Sequence, residues 1–285
     1  MRALPLLALA LCLTGCDIED FDGRRVEEDF HNSSPMNAGG RVTVETFNGT
    51  VEVIGWEKNE VSIDGTKYAS TKALLSMIKV DVVANAGEVR VRVVRPDFRR
   101  GNMGTRMTVH VPRKVTLDKI ASSNGGIKAS DVEGPVRLKT SNGTVRASNI
   151  VGSLDVLTSN GAIEVREIRG ENVLHTSNGK VTADAVRGSL DVSTSNGAIE
   201  AHLVEPQAGH RQRFETHNGG ITLWLPSNTN AELSASTTNS SVSTDFDLLM
   251  KGGEVSKRHL GGKLGTGGAS IDLTTSNGRI RVLKL

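Results

Sequence analysis

The amino-acid sequence predicts an all-β protein, a β-solenoid or β-roll of about 18-residue repeats with Asn-Gly turns. Three observations predict this fold. Asn-Gly pairs recur at a fixed interval, apolar and polar residues alternate on both sides of each pair, and the composition favours short strands and turns. Gly accounts for 31 of the 285 residues, whereas aromatic residues make up only 3%.

The repeat is most regular over residues 117–206, where successive turn asparagines are 18 residues apart. On each side of the turn, every second residue is apolar or Thr, as in Leu138, Thr140 and Val145. A period of two predicts strands with one buried face, and Asn-Gly is typical of the positive-φ pair in a tight turn. We therefore expect two strands per repeat and interpret the asparagines as structural turn residues. These are Asn124, Asn142, Asn160, Asn178 and Asn196.

Two architectures satisfy this pattern: a meander of hairpins, and a solenoid in which each repeat forms one coil. The outward-facing charges favour the solenoid, because residues 18 apart in sequence would then be neighbours of opposite charge. The expected pairs are Arg137 with Asp155, Arg146 with Glu164, and Arg166 with Asp184.

The flanking segments are less regular. Ala69–Met77 predicts a short helix, whereas Lys79–Val94 and Met107–Val111 predict strands. Residues 251–268 are rich in Gly and predict a long loop before a closing strand pair. Terminal copies that depart from the consensus are expected to cap the open edges of the stack.

The N-terminus has the features of a bacterial export signal. Arg2 precedes an apolar run, which predicts a signal peptide over residues 1–15. The sequence Leu13-Thr14-Gly15-Cys16 resembles the lipobox of bacterial lipoproteins, which implies acylation of Cys16 and a membrane anchor. We expect a lipoprotein in the cell envelope, facing the periplasm or the cell surface. Residues 16–38 would form a flexible tether, and residues 39–285 the repeat domain.

Several segments together carry a family resemblance. The strand–T-S-N-G–strand repeats, the opening RVTVETFNGTVEV and the closing LTTSNGRIRVL resemble the bacterial putative-adhesin domains of β-strand repeats, a DUF4097-like family of unknown function. The resemblance covers roughly residues 40–285. It implies a β-solenoid-like envelope protein without assigned catalytic residues. One departure is Asn239-Ser240, where Gly is missing after the turn asparagine.

Charge limits the choice of partner. The chain has 34 Lys and Arg against 32 Asp and Glu, a balance that argues against nucleic-acid binding. Residues 89–106 are locally basic and form the best candidate binding patch, for anionic lipid headgroups or an acidic polysaccharide. The segment holds Arg90, Arg92, Arg95, Arg99, Arg100 and Arg106, of which the first five form the candidate patch.

No catalytic or cofactor motif is present. The seven histidines lack a ligand spacing and there is no nucleophile motif, so we expect no cofactor, no metal and no catalytic residue. Trp56 and Trp224 lie outside the regular array, which favours core or cap positions. The leading hypothesis is a non-enzymatic, adhesin-like binding or scaffold protein whose partner is a polysaccharide or an envelope protein.

Two other functions stay open. The first is a polysaccharide-acting enzyme, because Asp155 and Asp191 would share one column of the solenoid, as would Glu164 and Glu200. Their separation of about 9.6 Å, two strand spacings, is close to that of an inverting carboxylate pair. The second is a periplasmic structural or signalling partner.

Overall fold

The computed structural model describes residues 25–94, 96, 102–249 and 256–285. These residues form one short helix, α1 (Lys72–Ser76), and 22 strands. In chain order the strands are β1 (Val26–Pro35), β2 (Arg41–Asn48), β3 (Val51–Trp56), β4 (Glu60–Ala69), β5 (Lys79–Ala84), β6 (Glu88–Val94), β7 (Met103–Pro112), β8 (Thr116–Asn124), β9 (Ile127–Glu133), β10 (Val136–Thr140), β11 (Val145–Val151), β12 (Leu154–Thr158), β13 (Ile163–Thr176), β14 (Val181–Thr194), β15 (Ile199–Glu205), β16 (Arg211–Thr216), β17 (Ile221–Leu225), β18 (Ala231–Thr237), β19 (Val242–Thr244), β20 (His259–Leu264), β21 (Ala269–Thr275) and β22 (Ile280–Lys284).

The strands pair into two ladders, which we call sheet A and sheet B. Sheet A has the order β1-β4-β7-β3-β9-β11-β13-β14-β15-β17-β22-β19. Sheet B has the order β5-β6-β2-β8-β10-β12-β13-β14-β16-β21-β18-β20. The long strands β13 and β14 contribute one half to each sheet. The all-β solenoid prediction is confirmed.

Parallel pairing between successive coils defines the central stack. Val145 of β11 pairs with Ile163 of β13, and Ile163 pairs with Val181 of β14. Strands that are consecutive in the chain, such as β10 and β11, lie in different sheets, which excludes the hairpin meander. At ~4.8 Å per strand, each twelve-strand ladder is roughly 50 Å long.

The core lies between the two sheets and is built from columns of like residues. Leu138, Val156, Leu174 and Val192 form one fully buried column, and Ile163, Val181 and Ile199 belong to the facing one. Alternation buries every second side chain of each strand, because neighbouring side chains point to opposite faces. Each coil therefore contributes buried apolar area on both sheets.

The chain order departs from the spatial order at both ends of the stack. The coil β2–β3 lies between β6–β7 and β8–β9. The coil β21–β22 lies between β16–β17 and β18–β19, so the last strand pair of the chain is internal and does not close the stack as predicted. Antiparallel pairs occur at the ends, where β1, β4 and β7 extend sheet A, β5 extends sheet B, and β20 covers β18.

Two boundary predictions were wrong, and both errors have the same cause. Residues 26–35, expected within a flexible tether, form strand β1, which pairs along its whole length with β4. Residues 259–264, expected within a loop, form strand β20, which pairs with β18. Apolar and polar residues do not alternate clearly in either segment, because each is an end strand with a solvent-exposed side. The predicted short helix is present as α1.

The predicted signal peptide over residues 1–15 and the lipidated Cys16 lie outside the described residues. Within the described part of the chain, no helix has the length and apolar character needed to cross a membrane.

Candidate binding surface

The five turn asparagines lie in a ladder of side-chain amides along one edge of the solenoid. Each Nδ2 donates to Oδ1 of the asparagine in the adjacent coil, at 2.6 to 2.8 Å. In spatial order the ladder runs Asn48, Asn124, Asn142, Asn160, Asn178, Asn196, Asn218, Asn277 and Asn239. Asn239 continues the ladder although Ser240 replaces the usual Gly. Hydrogen bonding between coils therefore accounts for this column without a ligand.

The expected turn conformation at these corners was wrong. Asn142 and Gly143 do not have positive φ; positive φ occurs at the opposite corner, at Asn149 (52°) and Gly152 (144°). Gly is needed after the asparagine because the coils approach closely: a Cβ on Gly143 would lie 2.1 Å from the carbonyl oxygen of Gly125.

The Thr column completes the corner. Thr140 Oγ1 donates to the Gly125 carbonyl at 2.9 Å, and Thr176 donates to Gly161 at 3.0 Å in the same way. Since these threonines are buried, their hydroxyl groups need such partners. T-S-N-G is thus a structural corner motif.

The structure describes only part of the predicted arginine patch. Arg90 and Arg92 project from β6 on the outer face of sheet B, as the alternation predicts. Arg90 forms an ion pair with Glu88 at 2.8 Å, and Arg92 stands in register with Asp81 and Glu45. Arg95, Arg99 and Arg100 lie outside the described residues.

Three of the four carboxylates of the enzyme alternative are engaged in exposed ion pairs, whereas Asp191 has none among the described residues. Asp155 pairs with Arg137 at 3.4 Å, and Glu164 pairs with Arg146 at 2.8 Å, both as the sequence predicts. Glu200 pairs with Lys180 at 2.7 Å. These contacts place the carboxylates in charge ladders between coils, where neighbouring cations stabilise their charge.

An open cleft of about 850 Å³ lies on the outer side of sheet A. One wall comes from β1 and β4, the floor from β7 and β3, and the other wall from β9 and β11. Phe30 of β1 packs over Gly65 of β4, where an added Cβ would lie 2.3 Å from the ring. Asp29 and His31, on either side of Phe30, line the cleft.

Charges of both signs line the cleft. The acidic side chains are Asp29, Glu52 and Asp64, and the basic ones are Arg106, Lys128 and Arg146. Most have a partner on a neighbouring strand, as Lys128 has in Glu52 at 3.7 Å. The cleft is therefore polar and locally balanced in charge.

His31 and Asp64 face each other across β1 and β4. His31 Nδ1 donates to Asp64 Oδ1 at 2.7 Å, and Ser62 Oγ donates to Asp64 Oδ2 at 3.1 Å. The hydrogen bond from His31 is the main reason that the pKa of Asp64 is lowered; the bond from Ser62 adds to this, and burial opposes it. The pair fixes the position of an imidazole at the cleft.

A second polar feature begins one strand beyond the cleft and crosses four adjacent strands of sheet A. We call Arg166, Asp184, His202 and Trp224 the Trp224 row. Arg166 Nε lies 3.4 Å from Asp184 Oδ2, and His202 Nδ1 lies 2.9 Å from Asp184 Oδ1. The His202 and Trp224 rings meet edge to face with centroids 4.3 Å apart. Trp224 is partly exposed on the outer face of the solenoid, so its predicted core or cap position was wrong.

The sequence contains a signal for this row. Each member lies six residues after a ladder asparagine: Arg166 after Asn160, Asp184 after Asn178, His202 after Asn196 and Trp224 after Asn218. The prediction treated the copy around Trp224 as irregular, because four additional residues separate Asn218 from Asn196. In the structure His202 nevertheless pairs directly with Trp224, so the two strands keep the register of the regular repeats.

Trp56 also lies on this outer face, and its polar and aromatic groups already have partners. Its ring stacks on His110 with centroids 4.9 Å apart, and Lys58 Nζ lies 4.6 Å from the ring centroid. Its Nε1 donates to the Glu60 carbonyl at 2.8 Å. By contrast, the indole N–H of Trp224 has no hydrogen-bond partner among the described residues.

Within the described ranges, no group of three or more His, Cys, Asp or Glu side chains is arranged to hold a metal ion. The stacked coils, the asparagine ladder and the capped ends define a β-solenoid repeat protein with a polar outer surface. The family model for Toastrack DUF4097 matches residues 30–283, so the chain belongs to this family and the predicted resemblance is confirmed.

Several solved structures are similar to this chain. A putative adhesin from Bacteroides fragilis has 11% identity and a TM-score of 0.49, with 90% of this chain and 97% of that chain covered. A putative adhesin from Parabacteroides merdae has 10% identity and a TM-score of 0.44, covering 90% and 96%. A putative cell adhesion protein from Clostridium sporogenes has 12% identity and a TM-score of 0.31, covering 90% and 100%. No curated protein matches the sequence.

Proposed function

We propose that this protein is an envelope lipoprotein, anchored through Cys16, whose solenoid binds an extended polysaccharide in an adhesin-like manner and does not catalyse a reaction. The observation that carries the proposal is the Trp224 row. An indole face packs well against the C–H groups of a sugar ring, and the indole N–H is free to donate to a hydroxyl. His202 and Asp184 place further polar groups beside it.

The position of the row supports an extended ligand. The cleft ends at Arg146 on β11, and the row begins at Arg166 on the adjacent strand β13. Cleft and row thus form one polar track on sheet A. Because the strands are paired and the core is tightly packed, this track is rigid and binding requires little ordering of the protein.

The anchor is supported by sequence alone. The leader and the lipobox-like Leu13-Thr14-Gly15-Cys16 favour export and acylation. Mass spectrometry of the protein purified from membranes tests this part. We expect the mature chain to begin at acylated Cys16, whereas an uncleaved or unacylated N-terminus would contradict the anchor.

Affinity electrophoresis in gels containing a neutral glucan or a polyuronate tests the binding. We expect at least one polymer to retard the wild type, and Trp224→Ala to lose most of that retardation. Trp56→Ala is the matched control, because this ring already contacts His110 and Lys58. Equal retardation of wild type and Trp224→Ala, or none in either gel, would contradict the proposed surface.

The same polymers distinguish binding from catalysis. After incubation with the protein, we expect no new reducing ends. If the wild type released reducing ends and the double variant Asp155→Asn with Asp191→Asn did not, the result would favour the polysaccharide-acting enzyme instead.

A further inference from the structure

The end of the solenoid at which the chain enters carries exposed apolar and basic side chains. Met77, which caps α1, is 49% exposed, and Val83 on β5 is 64% exposed. Lys79 and Val83 share the outer face of sheet B with Arg90 and Arg92 of the adjacent strand β6. We call Met77, Lys79, Val83, Arg90 and Arg92 the cap patch.

The cap patch borders free strand edges. Among the described residues, β5 pairs only with β6, and β1 pairs only with β4. Both edges therefore lie at the same end of the stack. Asp81, Glu88 and Glu45 are the acidic side chains beside the patch; Glu88 is paired with Arg90, and Glu45 with Lys119. The patch itself carries three cations, Lys79, Arg90 and Arg92, and β1 at the same end carries the acidic Glu27, Glu28 and Asp29. Glu27 already pairs with Arg106, and Glu28 with Lys67.

The chain connection places this end nearest the anchor. Strand β1 begins at Val26, ten residues after Cys16. Ten extended residues span at most ~35 Å, which is less than the roughly 50 Å length of the stack. An acyl chain on Cys16 would thus hold the β1 and β5 edges close to the bilayer, with the β19 and β20 end farther away.

We propose that the cap patch is a membrane-docking surface for anionic phospholipid headgroups, and that it turns this end of the outer face of sheet B toward the bilayer. This inference rests on the proposed anchor at Cys16. Lys79, Arg90 and Arg92 attract the headgroups, while Met77 and Val83 enter the interface. The Trp224 row lies on the outer face of sheet A, on the opposite side of the solenoid, and therefore stays accessible for binding.

The test uses residues 16–285 with Cys16→Ser, which contains no cysteine because Cys12 and Cys16 are the only two in the sequence. Sedimentation with phosphatidylglycerol–phosphatidylcholine vesicles should recover the protein, and phosphatidylcholine vesicles alone should recover much less. Raising the salt concentration should weaken the binding. Lys79→Gln with Arg92→Gln should lower the partition coefficient by about fivefold per cation.

The matched control is Arg137→Gln with Lys139→Gln, which removes two cations from the same face at mid-stack. A fluorophore attached to an introduced cysteine shows which part of the protein contacts the vesicle. With anionic vesicles, its emission should shift to the blue when it is attached at Val83→Cys. It should not shift at Leu157→Cys, an exposed mid-stack position. Absence of binding to anionic vesicles, or equal effects of the cap and mid-stack variants, would overturn docking. Acylation of Cys16 is tested separately, by measuring the mass of the Cys16 peptide from the membrane-purified protein.

Discussion

Nδ2 of Asn160 lies 2.8 Å from Oδ1 of Asn142, its counterpart one coil earlier. Asn178 donates to Asn160 in the same way at 2.7 Å, so each internal asparagine both donates and accepts. The ladder runs from Asn48 to Asn239 and joins coils that are also held together by backbone pairing. It couples the stability of each coil to that of its neighbours.

Asn160→Ala removes two of these hydrogen bonds. We expect a loss of about 1–2 kcal/mol in the free energy of unfolding, since each bond contributes about 0.5–1.5 kcal/mol. Urea unfolding followed by circular dichroism measures it. Ser159→Ala is the control at the same corner, because the Ser159 hydroxyl makes no hydrogen bond among the described residues. Equal losses in the two variants would show that the ladder does not stabilise the fold.

Gly161→Ala should be much more damaging. The added Cβ would lie 1.8 Å from the Gly143 carbonyl oxygen, and backbone cannot move aside without breaking the parallel pairing. We expect a loss of at least ~3 kcal/mol, measured from the thermal midpoint and urea unfolding. Gly87→Ala is the control, since the nearest atom to its Cβ would be 3.6 Å away. A stable Gly161→Ala protein would contradict the close approach of the coils.

Glu164→Arg tests the charge ladder. It replaces the 2.8 Å ion pair with Arg146 by two facing cations. Since the site is exposed, we expect a loss of up to ~1 kcal/mol, and recovery of most of it in Glu164→Arg with Arg146→Glu. Urea midpoints of the four proteins give the coupling energy. No recovery in the double variant would mean that the pair contributes little to stability.

Asp64→Asn tests the contact between β1 and β4. Because the pKa of Asp64 is lowered in the folded state, its contribution is present above the ordinary value of 3.8 and is lost as the pH falls through the folded pKa. Wild type should therefore exceed Asp64→Asn in stability at pH 6, with the difference shrinking below about pH 4. The effect should stay under ~1 kcal/mol, since both side chains are exposed.

Urea unfolding of both proteins at pH 6 and pH 3 measures this difference. His31→Gln is the companion variant, which removes the partner and retains the carboxylate. A stability difference that is the same at both pH values would contradict the role assigned to the His31–Asp64 hydrogen bond.

Much of the regular array was predictable because spatial neighbours are a fixed number of residues apart in sequence. The pairs Arg146 with Glu164 and Arg166 with Asp184 follow directly from that interval. The conformational role of Gly143 did not follow, because the same Asn-Gly pair suits a tight turn or a close approach between coils. The tertiary structure shows that the second reason applies, since a Cβ on Gly143 would meet the backbone of the adjacent coil.

The candidate binding surface was predicted less well. The 18-residue interval relates the first three members of the Trp224 row, Arg166, Asp184 and His202. It does not relate Trp224 to them, because four additional residues precede it. The arginine patch was identified by composition, which gives local charge but no position relative to the strand edges. Met77 and Val83 are exposed at the end of the stack, and this position is what makes them candidates for membrane contact.

By itself, the sequence determined the all-β class, the two strands per coil, the buried columns and the ion pairs between coils, because a periodic pattern specifies contacts between successive repeats. The tertiary structure decided how the strands pair at the two ends of the stack, where the 18-residue repeat ends. His31 meets Asp64 across 33 residues, and Asn277 joins Asn218 across 59, through strands inserted out of chain order. No local pattern encodes such pairings, since they depend on which free strand edge each terminal segment covers. The cleft and the cap patch arise from those choices.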